Sequence, residues 1–406
     1  MTAGAVFPLL DKPELFSRLA QGHGAGTVVV TPNQRLAHEL AREFHEQQIT
    51  RGLKAWETAD ILPFTAFVER LYEDVLYSAA AQRVPLLLTP VQEWELWQAA
   101  IRASDWSGML LSPASAAEDC RHAWELAHAW GIADALGSFP GNEDAAAFVE
   151  WARSYSRRCA RERGIDAARL PDIMAPLLGE PALRTPQWLV AYGYDVMPPQ
   201  VCKFMQACEE RGIGVRQCGP VPRYGHAVRA TLPSAREELE LSALWARDRL
   251  EAGAKRIGVV VADLGRRRKE VARVFGRVMH PAHNLPGAPQ TLPPFNISLG
   301  APLAQYPLPC AALAILGLAF EETRFEQASR LVRSPFIGAA QAELNLRAQL
   351  DARLRTRAPA SLSLGKLVGL VEGAPLLRRH LEDLFRFARG QADGERSPAE
   401  WGRIFS

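Results

Sequence analysis

Residues 27–48 read TVVVTPNQRLAHELAREFHEQQ. Thr27 to Val30 is a short β-branched run behind the glycine-rich turn Gly22-His23-Gly24-Ala25-Gly26, which predicts a buried strand. Beyond it Leu36, Leu40 and Phe44 fall at four-residue spacing on one helical face, with Pro32 near the helix start. The stretch is therefore a strand–loop–helix unit. A second extended piece, Asp60-Ile61-Leu62-Pro63-Phe64, leads into Thr65, a suitable N-cap, and a helix carrying Phe67, Leu71 and Val75. Strand character returns in QWLVAYG (187–193), followed by Tyr194-Asp195, a helix from about Pro199 to Arg211 and a strand over 214–218. Strand, helix and strand at that spacing predict a parallel α/β sheet.

Outward from this frame the pattern repeats. VRATLP (228–233) reads as extended, Ala235 to Ala252 as a charged amphipathic helix, and RIGVVVADL (256–264) as a continuous buried strand running into GRRRKEVARVFGRV. From about Val91 to Leu178 the pattern is helical. Trp94, Trp97, Trp124, Trp130 and Trp151 recur there among alanines and leucines, as expected of helices packed through aromatic knobs rather than of base-stacking platforms. Residues 280–294, dense in proline and glycine, predict a loop, and helices resume after Ala301. Ser397-Pro398-Ala399-Glu400 has good helix-start chemistry only a few residues before Ser406, so the native protein is expected to continue.

The chain has 406 residues, 48% hydrophobic and 23% charged, which suits two to four domains rather than one core. No apolar run reaches the ~20 residues of a membrane helix and Met1 to Leu10 has no secretory pattern, so a cytoplasmic protein is expected. The six cysteines form no CxxC pair and read as core thiols. Forty-seven basic residues balance forty-five acidic ones, so any polyanion site must be a local patch.

Lysine occurs only at positions 12, 54, 203, 255, 269 and 366, and each can be tested. A phosphate-cradling loop needs GxxxxGK followed by Ser or Thr. Lys366 follows Gly365, but Ala360 stands at the first glycine and Leu367 at the hydroxyl position. A PD-(D/E)xK nuclease needs a carboxylate two positions before its lysine, and here those positions hold Leu10, Gly52, Val201, Gly253, Arg267 and Leu364. Ordinary P-loop hydrolysis and this nuclease chemistry are thus excluded for the chain. His38 and His45, and His122 and His128, miss the spacing of a helical zinc pair, no G-x-S-x-G elbow occurs, and the Gly22–Gly26 turn precedes its strand rather than following it. No metal or cofactor is implied.

TVVVTPNQRLAHELAREF resembles the strand–loop–helix of UvrD/Rep-type helicases that contacts single-stranded DNA, and DILPFTAFVERLYEDV resembles their next motif. PQWLVAYGYDVMPPQVCKFMQACEERGIGVRQCGP is similar to their Walker B region, and AREELELSALWARDRLEAGAKRIGVVVADLGRRRKEVARVF to the opening of their second motor domain. Together with FNISLGAPLAQYPLPCAALAILGLAF and FEQASRLVRSPF, the closer resemblance is to AddB/RecB-type DNA repair proteins, in which a helicase-like region with a decayed ATP site precedes a C-terminal PD-(D/E)xK nuclease. The resemblance implies two degenerate RecA-like (P-loop-NTPase) α/β domains of the superfamily 1 type with large helical insertions. The first domain would span 1–75 and 186–225 around a helical insertion at 76–185. The second would open at 226–295, followed by a helical region at 296–406. Tyr194 and Asp195 stand at the Walker B position, where the family's Asp-Glu pair is missing. Implied partners are DNA, single-stranded or tailed, and a helicase or nuclease subunit.

The resemblance places DNA contacts at Thr31, Asn33, Gln34 and Arg35, which otherwise read as a helix cap with polar neighbours, and at Thr65. Arg266, Arg267, Arg268, Lys269 and Arg273 are the densest basic run, set behind the expected strand where phosphates could meet arginine forks; the ordinary alternative is a solvated helix face. Arg157, Arg158, Arg161 and Arg163 form a second run, better read as a solvated face. A rival reading makes the same domains a docking module without DNA affinity. A small-molecule enzyme finds no convergent acid, base or nucleophile.

Overall fold

Every residue of β1 (Thr27–Thr31) is buried, and its side chains alternate between two cores. Val28 and Val30 join one apolar cluster with Phe67, Leu71, Leu189 and Phe204, while Val29 joins another with Leu40, Phe44, Leu15 and Val190. Both faces are therefore covered by helices, as a parallel sheet requires. The computed structural model describes residues 7–110, 112–138, 141–220, 226–287, 291–391 and 396–405, and the chain divides into two compact units, Met1–His226 and Ala227–Ser406.

The first unit runs α1 (Lys12–Leu19), β1, α2 (Gln34–Thr50), β2 (Ile61–Pro63), α3 (Phe64–Leu76), β3 (Leu86–Leu87), α4 (Pro90–Arg102), α5 (Pro113–Ala129), α6 (Glu143–Arg161), β4 (Gly164–Ile165), α7 (Leu170–Met174), β5 (Trp188–Tyr192), α8 (Pro199–Glu210) and β6 (Gly214–Cys218). The main sheet is parallel, ordered β2-β1-β5-β6. Leu9 adds a single parallel bridge to Gln217 beyond β6. A mixed α/β architecture with a four-stranded parallel sheet is thus present.

Helices α4, α5 and α6 enclose their own aromatic core. Trp97 is fully buried, stacked on Tyr155 at 4.1 Å and edge-on to Trp124 at 6.1 Å. Trp151 is also buried and Trp94 half-buried, so these rings are packing elements; Trp130, 47% exposed, stands apart from them. Five cysteines are buried thiols, whereas Cys310 is exposed.

The second unit runs α9 (Ala235–Glu251), α10 (Leu264–Met279), α11 (Pro307–Phe320), β7 (Thr323–Arg324), α12 (Phe325–Val332), α13 (Leu344–Arg357), β8 (Ser361–Leu362), α14 (Leu364–Leu370), α15 (Pro375–Gln391) and α16 (Pro398–Phe405). Helices α9 and α10 pack through Leu239, Ala243, Ala246, Val271, Val274 and Phe275, and α11 to α15 surround a second cluster. Two sequence expectations fail here. Residues 256–264 form no strand, and Val260 is 96% exposed; VRATLP is likewise exposed and forms no ladder. A parallel strand needs neighbours on its hydrogen-bonding edges, and the described residues of this unit supply only the two-residue antiparallel pair β7–β8. Ile257 and Val261 still pack partly against α9 and α10, which explains the apolar pattern without a sheet. Among the described residues no helix is long and apolar enough to cross a membrane.

Candidate nucleic-acid interface

Thr31 lies opposite Pro63 in the β1–β2 register, so the loops that launch α2 and α3 leave the sheet at the same edge. The chain turns to one side of β1 for β2 and to the other for β5, making the gap between β1 and β5 a topological switch point. A cleft of about 690 Å³ opens there, lined by Pro32, Asn33, Arg35, Gly193, Tyr194 and Asp195 among others.

The loop residues divide by role. Thr31 is fully buried, and its hydroxyl donates to the Asn33 carbonyl at 2.9 Å. It shapes the turn and cannot touch a ligand directly, which corrects its placement among the contact residues. Asn33 Oδ1 accepts from the Leu36 amide at 3.0 Å, capping α2. Gln34 Nε2 lies 2.8 Å from His38 Nε2 at the exposed helix start. Arg35 is exposed on the cleft wall, and the first turn of α2 holds no acidic residue.

Thr65 is not the cap of α3. The helix starts at Phe64 directly behind Pro63, whose extended backbone (ψ 151°) closes the strand, so Thr65 sits exposed inside the first turn. Pro63 supplies no side-chain acceptor, and the α3 amides lack a side-chain cap.

On the opposite wall Gly193 has φ 73°, and a Cβ there would run into the Leu36 side chain, so this turn needs glycine. The Tyr194 hydroxyl is buried without a hydrogen-bond partner among the described residues, and burial pushes its pKa up. Asp195 is exposed beside it.

Lys12 lies near the same end of β5, beside Tyr192. Leu9 makes only an isolated bridge to Gln217, and Leu10 and Asp11 separate it from Lys12 at the start of α1, too short a link for a phosphate-binding loop. The Lys12 ammonium is hydrogen-bonded to Glu43 of α2 and lies over the rings of Phe16 and Tyr192 at 5.6 and 5.5 Å. Burial lowers its pKa, but the bonds to Glu43 and Tyr192 outweigh this and raise it. Asp11 Oδ1 accepts from the Glu14 amide at 2.7 Å, so the start of α1 is capped from within.

In the second unit the basic run divides cleanly. Arg267 bonds Glu270 at 3.1 Å and the Ala235 carbonyl at 2.9 Å, and Arg268 bonds the Leu299 carbonyl at 2.7 Å. Both hold α10 in place. Arg266, Lys269 and Arg273 are exposed at i, i+3 and i+7, opposite the buried Val271, Val274 and Phe275, with no ion-pair partner among the described residues. This stripe does not follow a strand, as noted above. Its first member, Arg266, lies in the first turn of α10, where the helix dipole disfavours cations; that turn has no acidic residue and Asp263 forms no side-chain cap. By contrast Arg157, Arg158 and Arg161 occupy the last turns of α6, where a dipole favours them. Their charge needs no ligand to account for it. Among the described residues no three His, Cys, Asp or Glu side chains are grouped as metal ligands.

The class that fold and surface define is a mixed α/β protein with a four-stranded parallel sheet and a separate basic helical stripe. No protein-family model matches the chain, and no curated protein matches it at a significant level.

Proposed function

We propose that the chain is a non-hydrolytic, helicase-like DNA-binding scaffold of the AddB/RecB repair type, acting in the cytoplasm and holding single-stranded or tailed DNA for a nuclease. The observation that carries this reading is the Arg266-Lys269-Arg273 stripe on α10. The three cations line one exposed face with no ion-pair partner among the described residues, and Arg266 sits in the first turn against the helix's own electrostatics, so a polyanionic ligand gives the stripe a purpose that folding does not. Arg35, the uncapped start of α3 and the exposed Thr65 hydroxyl are suited to further phosphate contacts. The lack of a GxxxxGK[ST] motif and of the Asp-Glu pair in the sequence supports a scaffold that does not hydrolyse ATP. Neutralising the α10 stripe tests the reading: weaker binding of oligothymidylate with a shallower salt dependence is expected, and unchanged binding overturns it.

A second reading, docking of a helicase or nuclease subunit, is favoured by α11. Leu308, Leu313, Leu316 and Phe320 on that apolar helix are all substantially exposed. A partner helix would bury these side chains.

A further inference from the structure

The segment from Ile165 to Met174 joins two cores of the first unit. Ile165, Leu170 and Met174 pack with the sheet cluster, while Asp166, between them, reaches into the aromatic core of α4, α5 and α6. Asp166 is 1% exposed. It accepts from Trp124 Nε1 at 3.2 Å, from the Tyr155 hydroxyl at 3.2 Å and from Arg169 Nε at 2.8 Å, and forms an ion pair with the Arg169 guanidinium. On the other side Gln200 of α8 donates at 2.8 Å to both the Ala168 carbonyl and Asp172. The segment is thus pinned at one end to the helical subdomain and at the other to the sheet layer.

Glu93 of α4, 5% exposed, is the weak point of this joint. It accepts from the Ala167 amide at 3.0 Å, so its carboxyl sits beside Asp166. Among the described residues no side-chain donor bonds Glu93, and the buried Arg169 Nη2 and Trp97 Nε1 have no hydrogen-bond partner. Trp124, Tyr155 and Arg169 point at Asp166, and Arg121, the remaining cation near Glu93, forms ion pairs with Glu118 and Glu125. From α5, Glu125 adds further negative charge facing Glu93, and from α6 the nearest titratable group is Tyr155. His128 of α5 lies 3.9 Å from Asp172, and its buried Nε2 has no hydrogen-bond partner among the described residues. A neutral Glu93 fits this site; an ionised one is a second buried carboxylate with one hydrogen bond.

We propose that Glu93 and the Asp166–Asp172 segment form a proton-operated latch, closed on a neutral Glu93 and loosened when its proton leaves, that clamps the helical subdomain onto the sheet layer. The latch stands independently of DNA binding. Its proton equilibrium lies in the neutral range, because burial and then the Asp166 charge lift the Glu93 carboxyl from 4.5 to about 7, against the Ala167 hydrogen bond. Opening the latch into water returns the carboxyl to its ordinary range, so opening is favoured as pH rises between those values.

Hydrogen exchange of the full chain, followed by mass spectrometry over about pH 4.5 to 8.5 and corrected for intrinsic exchange rates, tests this. The opening constant of peptides covering 164–174 should rise by up to about tenfold per pH unit up to about pH 7 and then level off. Glu93→Gln should abolish the dependence and keep these peptides protected throughout, while His128→Gln should retain it. A flat wild-type profile overturns the latch even if Glu93→Gln fails to fold, and so does a dependence that survives in Glu93→Gln.

Discussion

Replacing Arg266, Lys269 and Arg273 together by glutamine removes three positive charges and little else. All three are exposed and make no ion pair among the described residues, so folding stability should change by no more than ~0.5 kcal/mol. A small gain is the expected sign, because Arg266 lies at the unfavourable end of the α10 dipole. Binding should respond quite differently. Each phosphate neutralised on a single strand contributes about 0.7 to the slope of log K against log salt, so three lost contacts make the slope shallower by about 2. Between about 50 and 200 mM salt, that difference amounts to roughly a 20-fold smaller fall in affinity for the variant than for the wild type. Fluorescence anisotropy with labelled oligothymidylate reads both slopes. The neighbouring arginines provide the contrast: Arg267→Gln and Arg268→Gln remove hydrogen bonds to Ala235 and Leu299 and should each lower stability by about 1 kcal/mol while leaving the slope alone. If the triple variant keeps the wild-type slope, or the two neighbours flatten it equally, the division of the basic run is wrong.

Other consequences lie in the fold. Glu93 has a raised folded pKa, so its contribution is most favourable below 4.5, is lost as pH rises to about 7 and is constant above; urea melts should show a fall of at most ~3 kcal/mol, absent in Glu93→Gln. Equal pH profiles for the two proteins would contradict that burial. Gly193→Ala combines a left-handed backbone with an overlap on Leu36 and should cost about 1–3 kcal/mol in thermal or urea unfolding; a neutral result rules out the tight turn beside the cleft. Arg347 is 2% exposed, bonded to Glu343 and to the Ser334, Ile337 and Gly338 carbonyls. Arg347→Ala leaves the buried Glu343 with only the Leu376 and Leu377 amides and orphans three carbonyls, so it should destabilise the second unit by about 3–5 kcal/mol, and a loss below ~1 kcal/mol would mean the network is open to water.

The first unit was legible because its signals are local. The β-branched run of β1, the four-residue spacing of Leu36, Leu40 and Phe44, and the strand–helix–strand spacing around α8 each lie within a short window, and each element forms as read. Where an element depends on a distant partner the reading fails. Residues 256–264 have strand chemistry but no ladder neighbour in the described part of their unit, and Pro63 moves the helix start ahead of the residue that looked like its cap. The candidate surface shows the same limit. Arg266 and Arg267 are adjacent and chemically alike, and the long-range contact that marks Arg267 as structural is with the Ala235 carbonyl, 32 positions away. Lys12 and Glu43, 31 apart, and Glu93 and Ala167, 74 apart, were equally beyond a motif search.

The central claim is that this chain holds DNA through phosphate contacts, and a salt titration of the unmodified protein with labelled oligothymidylate tests it most directly. With Arg266, Lys269 and Arg273 each meeting a phosphate, log K should fall linearly with log salt at a slope of about −2. No anisotropy change at about 50 mM salt, or binding indifferent to salt, would contradict the claim.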